Sequence, residues 1–551
     1  MAKPKLRIVP LGGLGEIGKN MMAVEYGDDI LVIDCGLMFP EDEMLGVDLV
    51  IPDIRYLLER QESVKGIIIT HGHEDHTGAL PYVLPRLNAP VYSSRLTHGL
   101  ISVKLKEHRQ LTGARLNIVQ PGDRISLGEL SVEFFHVCHS IPDALGLIIE
   151  TPLGTLVHTG DFKMDYTPVD GIPTDFARLA KLGSEGVLML FSDSTYAEIP
   201  GYTASEREVA YTLERTIAEA PGRVIIATFA SLISRMQHVL DGAARQGRRV
   251  FFVGRSMRDN VEMTLKLGYL KAPPGVIGQL QELPSVPPEK TVIMTTGAQG
   301  EPTSALVRMA AREHPQVDIV PGDTVVLSAT AIPGNEHLIN RTLDNLFRLG
   351  ARVLYDKIAP VHVHGHGSQE ELKMVIHLVK PKYFVPVHGE YRHLSLHAAI
   401  AQSLGMSPND TFVLEDGDVL EVNHQGAKVT GRVPSGNVYV DGLSVGGVGE
   451  VVLRDRQALS RDGVVVVILA IDQQTGALVG SPDVASMGFV EMEESRALVE
   501  EARHLVEELV PHHRGVRVGD SLRAELKEAL GRFCYEKTKR RPIILPFTIE
   551  V

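Results

Sequence analysis

Residues 64–76 read Val64-Lys65-Gly66-Ile67-Ile68-Ile69-Thr70-His71-Gly72-His73-Glu74-Asp75-His76. The first seven form the pattern of a buried strand, and the last six place three imidazoles and two carboxylates directly behind it. A helix or strand of this length cannot turn all three imidazoles and a carboxylate to one side. A tight loop can, and Gly72 supplies the backbone freedom to form one. Burying such a cluster is costly unless a cation holds it, so the run predicts a metal site. Its position, on a loop leaving the carboxyl end of a strand, is where α/β folds bind ligands. A His-rich surface loop is the simpler alternative, and the downstream residues decide against it.

Three later segments place suitable donors at the ends of predicted strands. His139 follows Leu130–His136, Asp161 lies just beyond Thr155–His158, and His388 closes the strand containing Tyr383–Pro386. Asp34, at the end of Ile30–Asp34, is positioned to brace the ligand loop from behind. Each residue alone has an ordinary reading as a satisfied core or surface group. Together they supply enough ligands for two cations, with Asp161 as the oxygen donor between them.

The chain has 551 residues, too many for one core, and two to four domains are expected. Three cysteines without a C-x-x-C exclude a disulfide scaffold and a thiolate zinc site, and suit a reducing cytoplasm. The basic start, Met1 to Lys5, runs into a strand rather than an apolar signal core, and no stretch is apolar enough to span a membrane. The net charge of −14 does not exclude a polyanionic partner, because binding follows local potential. Gly13-Leu14-Gly15-Glu16-Ile17-Gly18 fits the dinucleotide-binding pattern G-x-G-x-x-G, but that pattern needs a helix behind it. Asn20–Glu25 reads as extended, so the run predicts a hairpin with a glycine-rich connection.

Short strands and turns fill residues 6–160. From Ser205-Glu206-Arg207-Glu208, where Glu208 stands at the capping-box position, helix and strand alternate. This predicts a doubly wound module lying inside another fold. The expected division is 1–205 for the first part of the host domain, 206–349 for the inserted module, 350–425 for the host's second part, 426–464 for a linker and 465–551 for a small α/β domain. That last domain should carry helices near 491–510 and 519–536 and end in a strand over 542–551.

His-x-His-x-Asp-His with later His, Asp and His resembles the metallo-β-lactamase fold, an αββα sandwich, and the insert makes the chain resemble the β-CASP nucleases. Gly12–Asn20, Gly36–Met44, Val385–Arg392 and the ending Arg541–Pro546 are similar to bacterial ribonuclease J. The resemblance extends over nearly the whole chain. It implies a first metal on His71, His73 and His139, and a second on Asp75, His76 and His388, with Asp161 bridging. It also implies a proton-donor pair, Asp193 and His366, assisting Asp75 in catalysis. Two cations roughly 3.5–4 Å apart can lower the pKa of a shared water and neutralise charge at an attacked phosphodiester. Zn²⁺ suits these donors, and Mn²⁺ is also accepted.

Substrate contacts are expected from Ser231, Ser234 and Arg235 at a helix start, a place that favours phosphate. The loop His364-Gly365-His366-Gly367-Ser368 could cradle a terminal phosphate, although His364 departs from the serine common in the family. Phe39 or Phe229 could stack a base. The resemblance implies single-stranded RNA as substrate, 5′-to-3′ exonuclease action with some endonuclease action, roles in RNA maturation and decay, and dimers or tetramers formed through the C-terminal domain. The rivals are a DNA-acting or small-molecule hydrolase of the same fold and a catalytically silent RNA-binding scaffold.

Overall fold

The computed structural model describes residues 5–551 except 302, 331–334, 443, 473, 476, 491–495 and 511–519. The chain divides into two compact units, Met1–Phe39 with Leu49–Val438, and Pro40–Asp48 with Tyr439–Val551. Among the described residues, no helix is long and apolar enough to cross a membrane.

The first unit is built on two facing sheets. One has eight strands in the order Gly426–Arg432, Asp418–Asn423, Leu6–Gly12, Met21–Tyr26, Asp29–Ile33, Val64–Ile68, Val91–Ser93, Leu116–Ile118. The other has six, in the order Pro381–Val387, Val187–Asp193, Gly154–His158, Leu145–Thr151, Leu130–His136, Arg124–Leu127. Leu31, Ile33 and Ile68 from the first pack with Phe134, Leu147, Leu156, Phe191 and Val385 from the second in one dry core. Helices Phe176–Glu185, Gln369–Val379 and Tyr391–Ser403 cover the outer face of the six-stranded sheet through Leu179, Leu182, Leu372, Val375 and Ile400. This is the expected αββα sandwich.

The insert is a parallel five-stranded sheet in the order Arg249–Val253, Thr291–Thr295, Val224–Ala227, Thr324–Leu327, Arg352–Leu354. Val224 and Ile226 bury one face and Ile225 and Ala227 the other, as the two-residue period of a strand covered on both sides requires. The expected boundary at 349 falls inside this sheet. Arg352–Leu354 pairs in parallel with Thr324–Leu327, so the insert continues at least to Leu354. At the insert's start, Ser205 caps by accepting the Arg207 N–H at 3.2 Å, rather than by closing a box with Glu208.

The glycine-rich run lies between antiparallel strands Leu6–Gly12 and Met21–Tyr26, with no helix behind it. Lys19 is buried there with a left-handed φ of 57°. Its ammonium lies 2.9 Å from Glu16 and 3.7 Å from Asp416, and it donates to the Gly436 carbonyl at 3.4 Å. Burial first, and then Glu16 beside it, pushes the Asp416 carboxyl up to about 7. A carboxyl raised in the folded state favours folding while protonated, and that contribution is lost as pH rises through the folded value. Melting temperature should therefore fall by a few degrees between about pH 5 and about pH 8. Asp416→Asn should flatten that part of the profile in a thermal-melt series.

Residues 426–464 are not a bare linker. Gly426–Arg432 pairs with Asp418–Asn423 in the eight-stranded sheet, and Glu450–Asp462 is a helix. The second unit thus begins at Tyr439 instead of 465. Its sheet runs Asp483–Met487, Val464–Ile471, Ile543–Glu550, and helices Arg496–Leu509 and Asp520–Thr538 bury Val465, Val467, Leu469 and Val484 beneath them. The expected helices match these two, although 491–495 and 519 lie outside the described residues. Ile468, Leu545, Phe547 and Ile549 remain exposed.

Candidate metal centre

Strand Val64–Ile68 delivers His71, and His73 precedes a single helical turn, Glu74–Thr77, that presents Asp75 and His76. The hydrogen bonds around the imidazoles fix which nitrogen of each faces inward. Thr70 Oγ1 donates to Asp34, so at 3.1 Å it accepts the Nδ1 proton of His71. The Gly365 carbonyl accepts the Nδ1 proton of His139 at 2.7 Å. His71 Nε2 and His139 Nε2 are therefore lone pairs, and they point at His73 Nδ1 from 3.0 and 3.1 Å. Burial holds His71 and His139 well below the usual imidazole range and takes His73 down to about 4. Three neutral imidazoles thus bring their ring nitrogens together at one point, the arrangement that three ligands of one cation require.

Asp75, His76, Asp161 and His388 form a second group. Asp34, itself at a left-handed φ of 61°, accepts the His76 Nδ1 proton at 2.7 Å, which turns Nε2 inward. His76 Nε2 lies 3.2 Å from Asp161 and 3.5 Å from Asp75, and His388 Nε2 lies 3.4 Å from Asp75. His388 reaches the group from a left-handed φ of 55° just past strand Pro381–Val387. Strain of this kind at non-glycine residues persists only where the surroundings enforce it. Burial opposes charge here, but the carboxylates outweigh it, holding His76 well above its ordinary value and raising His388 to about 10. Burial likewise opposes charge on Asp75 and Asp161, and the facing histidines hold both well below the usual carboxylate range. This group holds protons that an incoming cation would displace.

The donor set fits two divalent cations. Asp161 Oδ2 and His388 Nε2 are buried without a hydrogen-bond partner, which is costly for polar atoms that nothing else binds. Asp161 Oδ2 also lies 3.7 Å from His71 Nε2 in the first group and 3.2 Å from His76 Nε2 in the second, the position that a bridging donor requires.

Asp193 and His366 come together beside this cluster. Asp193 Oδ2 accepts the His366 Nδ1 proton at 2.7 Å, while Oδ1 accepts from Thr195 N and Oγ1 at 3.0 and 2.7 Å. Burial works against charge on both, but their mutual attraction prevails, raising His366 and lowering Asp193. The pair also forms a third grouping with Asp161 and His388, sharing two members with the second group.

The expected substrate contacts divide. Ser231 and Ser234 are partly exposed. Arg235 is not available to RNA: it is buried, with Nη2 on both oxygens of Glu206 at 3.0 and 2.9 Å and Nη1 on the Ser328 carbonyl at 2.8 Å. A guanidinium so held would leave Glu206 as an unpaired buried charge if it swung out. Ser368 is also committed, capping helix Gln369–Val379 in a box with Glu371 and touching Thr203 Oγ1 at 3.0 Å. Its N–H is taken by Glu371 at 2.7 Å and by Thr203 at 3.1 Å. Gly365 must be glycine, since a Cβ there would lie 2.4 Å from the His139 ring. His364 donates from Nδ1 to the His366 carbonyl at 2.8 Å and stacks on Tyr196 at 3.7 Å between ring centres. Of the two aromatics expected to stack a base, Phe39 is half exposed and Phe229 packs in the insert's core.

Sequence reasoning missed Tyr196, and it missed Thr203, whose Oγ1 donates to the His366 carbonyl at 2.8 Å and ties down the loop. The pattern Ser368-x-x-Glu371 was a legible capping signal. Nothing in the sequence pointed to Thr203.

Known proteins resemble this chain along its whole length. Residues 14–191 match the metallo-beta-lactamase superfamily, 221–346 the ribonuclease J beta-CASP domain, 351–413 the Zn-dependent metallo-hydrolase RNA specificity domain and 451–551 the ribonuclease J C-terminal domain. Ribonuclease J2 of Bacillus subtilis (strain 168) is 44% identical over 548 residues, covering 99% of each chain. Ribonuclease J of Thermus thermophilus is 43% identical over 555 residues, covering 99% of this chain and 95% of its own. A crystal structure of a protein of unknown function from Enterococcus faecalis V583 aligns with a TM-score of 0.54 at 15% identity, covering 76% of this chain and all of that one, a likeness of fold alone.

Proposed function

The chain belongs to the ribonuclease J family, and on that premise we propose that it degrades single-stranded RNA from the 5′ end with a two-cation centre, cleaving internally as a second mode. It is a metal-dependent ribonuclease. The observation that carries the two-cation reading is the convergence of the His71, His73 and His139 ring nitrogens, with unpartnered Asp161 Oδ2 between them and Asp75, His76 and His388. In this assignment His71, His73 and His139 would hold one cation and Asp75, His76 and His388 the other, with Asp161 available to both. Zn²⁺ is the proposed native ion and Mn²⁺ a working substitute. When bound, the cations supply an activated water and neutralise charge at the phosphoryl group.

The chain's own groups do the rest. Asp161 and Asp75 supply oxygen donors whose charge the facing histidines balance. Asp193 holds the Nδ1 edge of His366, leaving Nε2–H to protonate the departing 3′-oxygen. Ser231, Ser234 and the Gly365-His366-Gly367 backbone are the proposed phosphate contacts, with Arg235 and the Ser368 hydroxyl withdrawn from that role. His364 forms a wall of the pocket with Tyr196. We assign the enzyme to RNA maturation and decay in the cytoplasm, where the buried, unpaired Cys35, Cys138 and Cys534 are at home. The exposed Ile468, Leu545, Phe547 and Ile549 on the second unit's sheet support association into dimers or tetramers through that unit.

The test uses purified protein with Mn²⁺ or Zn²⁺ and one single-stranded RNA bearing a 5′-monophosphate or a 5′-triphosphate, with products resolved by length. Preferential release of mononucleotides from the monophosphate form is the expected result. Internal fragments from both forms alike would make internal cleavage the main activity. Cleavage of single-stranded DNA but not RNA would overturn the substrate assignment.

A further inference from the structure

The glycine-rich run Gly12–Asn20 supplies no metal ligand and no proton donor, yet it is one of the most constrained segments of the first unit. Its last residue explains why. Helix Glu74–Thr77 is one turn long, far too short to hold its own geometry, and of its carbonyls only that of Glu74 has a helical partner, Gly78 N at 2.7 Å. Three consecutive carbonyls are caught from outside. Leu37 N donates to Glu74 O at 3.0 Å, Asn20 N to Asp75 O at 3.0 Å and Cys35 N to His76 O at 2.8 Å. Of these three, Asn20 alone adds its side chain: Nδ2 donates to the same Asp75 carbonyl at 3.1 Å and lies 3.2 Å from His76 Nε2.

The residues around Asn20 have been cleared to admit it. A Cβ on Gly36 would fall 1.6 Å from Asp75 O and 2.8 Å from Asn20 N. A Cβ on Gly13 would fall 2.2 Å from Asn20 Oδ1, and one on Gly12 would fall 2.1 Å from Lys19 O. Lys19 takes a left-handed backbone immediately before Asn20, and its buried ammonium is anchored by Glu16 and Asp416. A plain hairpin connection needs neither a buried ammonium nor a left-handed lysine. Asn20 also lines a small pocket together with Asp34, His76, His158, Asp161 and His388.

We propose that Asn20 is a positioning residue for the second cation, delivered by the Gly12–Lys19 run to lock Asp75 and His76 in ligating geometry from the side opposite Asp34. The inference rests on the two-cation assignment. Asp34 fixes the His76 ring through Nδ1, and Asn20 fixes the turn that carries it and the Asp75 beside it. Among the described residues, the hydrogen bonds of the Asn20 side chain go to Asp75 and His76 and not to the first triad, His71, His73 and His139.

The test is cation binding by Asn20→Leu, which keeps the side chain's size and removes its donors, read without turnover. Metal-free protein is titrated with Mn²⁺ or Zn²⁺ against a chelator, and bound metal is counted after desalting. Wild type should retain two cations. Asn20→Leu should keep one tightly and bind the other about 10–100-fold more weakly, the usual effect of losing a ligand's support. In a His139→Ala background, which isolates the second group, adding Asn20→Leu should produce the same loss. If Asn20→Leu does not fold, Asn20→Ala is measured in its place. Two tight cations in the variant would overturn the role of Asn20. Equal weakening of both cations with a lowered melting temperature would also overturn it, by making the run merely structural. A wild type that binds fewer than two cations would instead overturn the two-cation assignment itself.

Discussion

His76→Ala should cut RNA cleavage by about 10⁴-fold or more while leaving the fold standing. The size reflects what a cation gives phosphoryl transfer, several kcal/mol of charge stabilisation at about 1.4 kcal/mol per tenfold in rate. His76 joins most of the second group: its Nε2 lies within 3.5 Å of both Asp75 and Asp161, while its Nδ1 is held by Asp34. Removing the ring leaves His388 as the one histidine that lies against both Asp75 and Asp161. Asp34 keeps its bonds to Thr70 N and Oγ1, so the loop retains its principal anchor. Circular dichroism and melting curves should stay close to wild type, while metal analysis shows one cation lost. Undiminished cleavage would sink the placement of a catalytic cation at His76.

Asp193→Ala should act differently. RNA cleavage should fall by about 10²–10⁴-fold, the contribution of a general acid, with both cations retained. Asp193 holds His366 Nδ1 at 2.7 Å, and without it burial loses the chief opponent that keeps that imidazole charged. The discriminating substrate is bis(p-nitrophenyl) phosphate, whose leaving group departs without a proton. Its hydrolysis should change little in Asp193→Ala and collapse in His76→Ala. Equal losses on both substrates would remove the proton-donor role. Loss of a cation would move Asp193 and His366 into the ligand set, as their proximity to Asp161 and His388 allows.

What the sequence made legible was whatever is local. The ligand loop could be read because its donors are adjacent, and the doubly wound insert because each strand and helix carries its own periodicity. Asp193 and His366 are far apart in the chain, so only the family resemblance brought them together. Arg235 was misjudged because a helix start rich in hydroxyls looks the same whether its cation faces solvent or a buried Glu206. The pairing of Arg352–Leu354 with the insert's sheet was not legible because three residues carry no mark of the strand they pair with. Asn20 was overlooked because the meaning of Gly12, Gly13 and Gly36 depends on what approaches them in space.

The donors of the centre come from both sides of the insert, His71 to Asp161 before it and His388 after it, and the first strand, Leu6–Gly12, finds a neighbour in Asp418–Asn423. On the proposed assignment, a chain still being translated therefore lacks a ligand of the second cation, and its opening strand lacks an edge partner, until the last part of the first unit has emerged. Such a nascent polypeptide has no complete hydrolytic centre to turn on the messenger that encodes it.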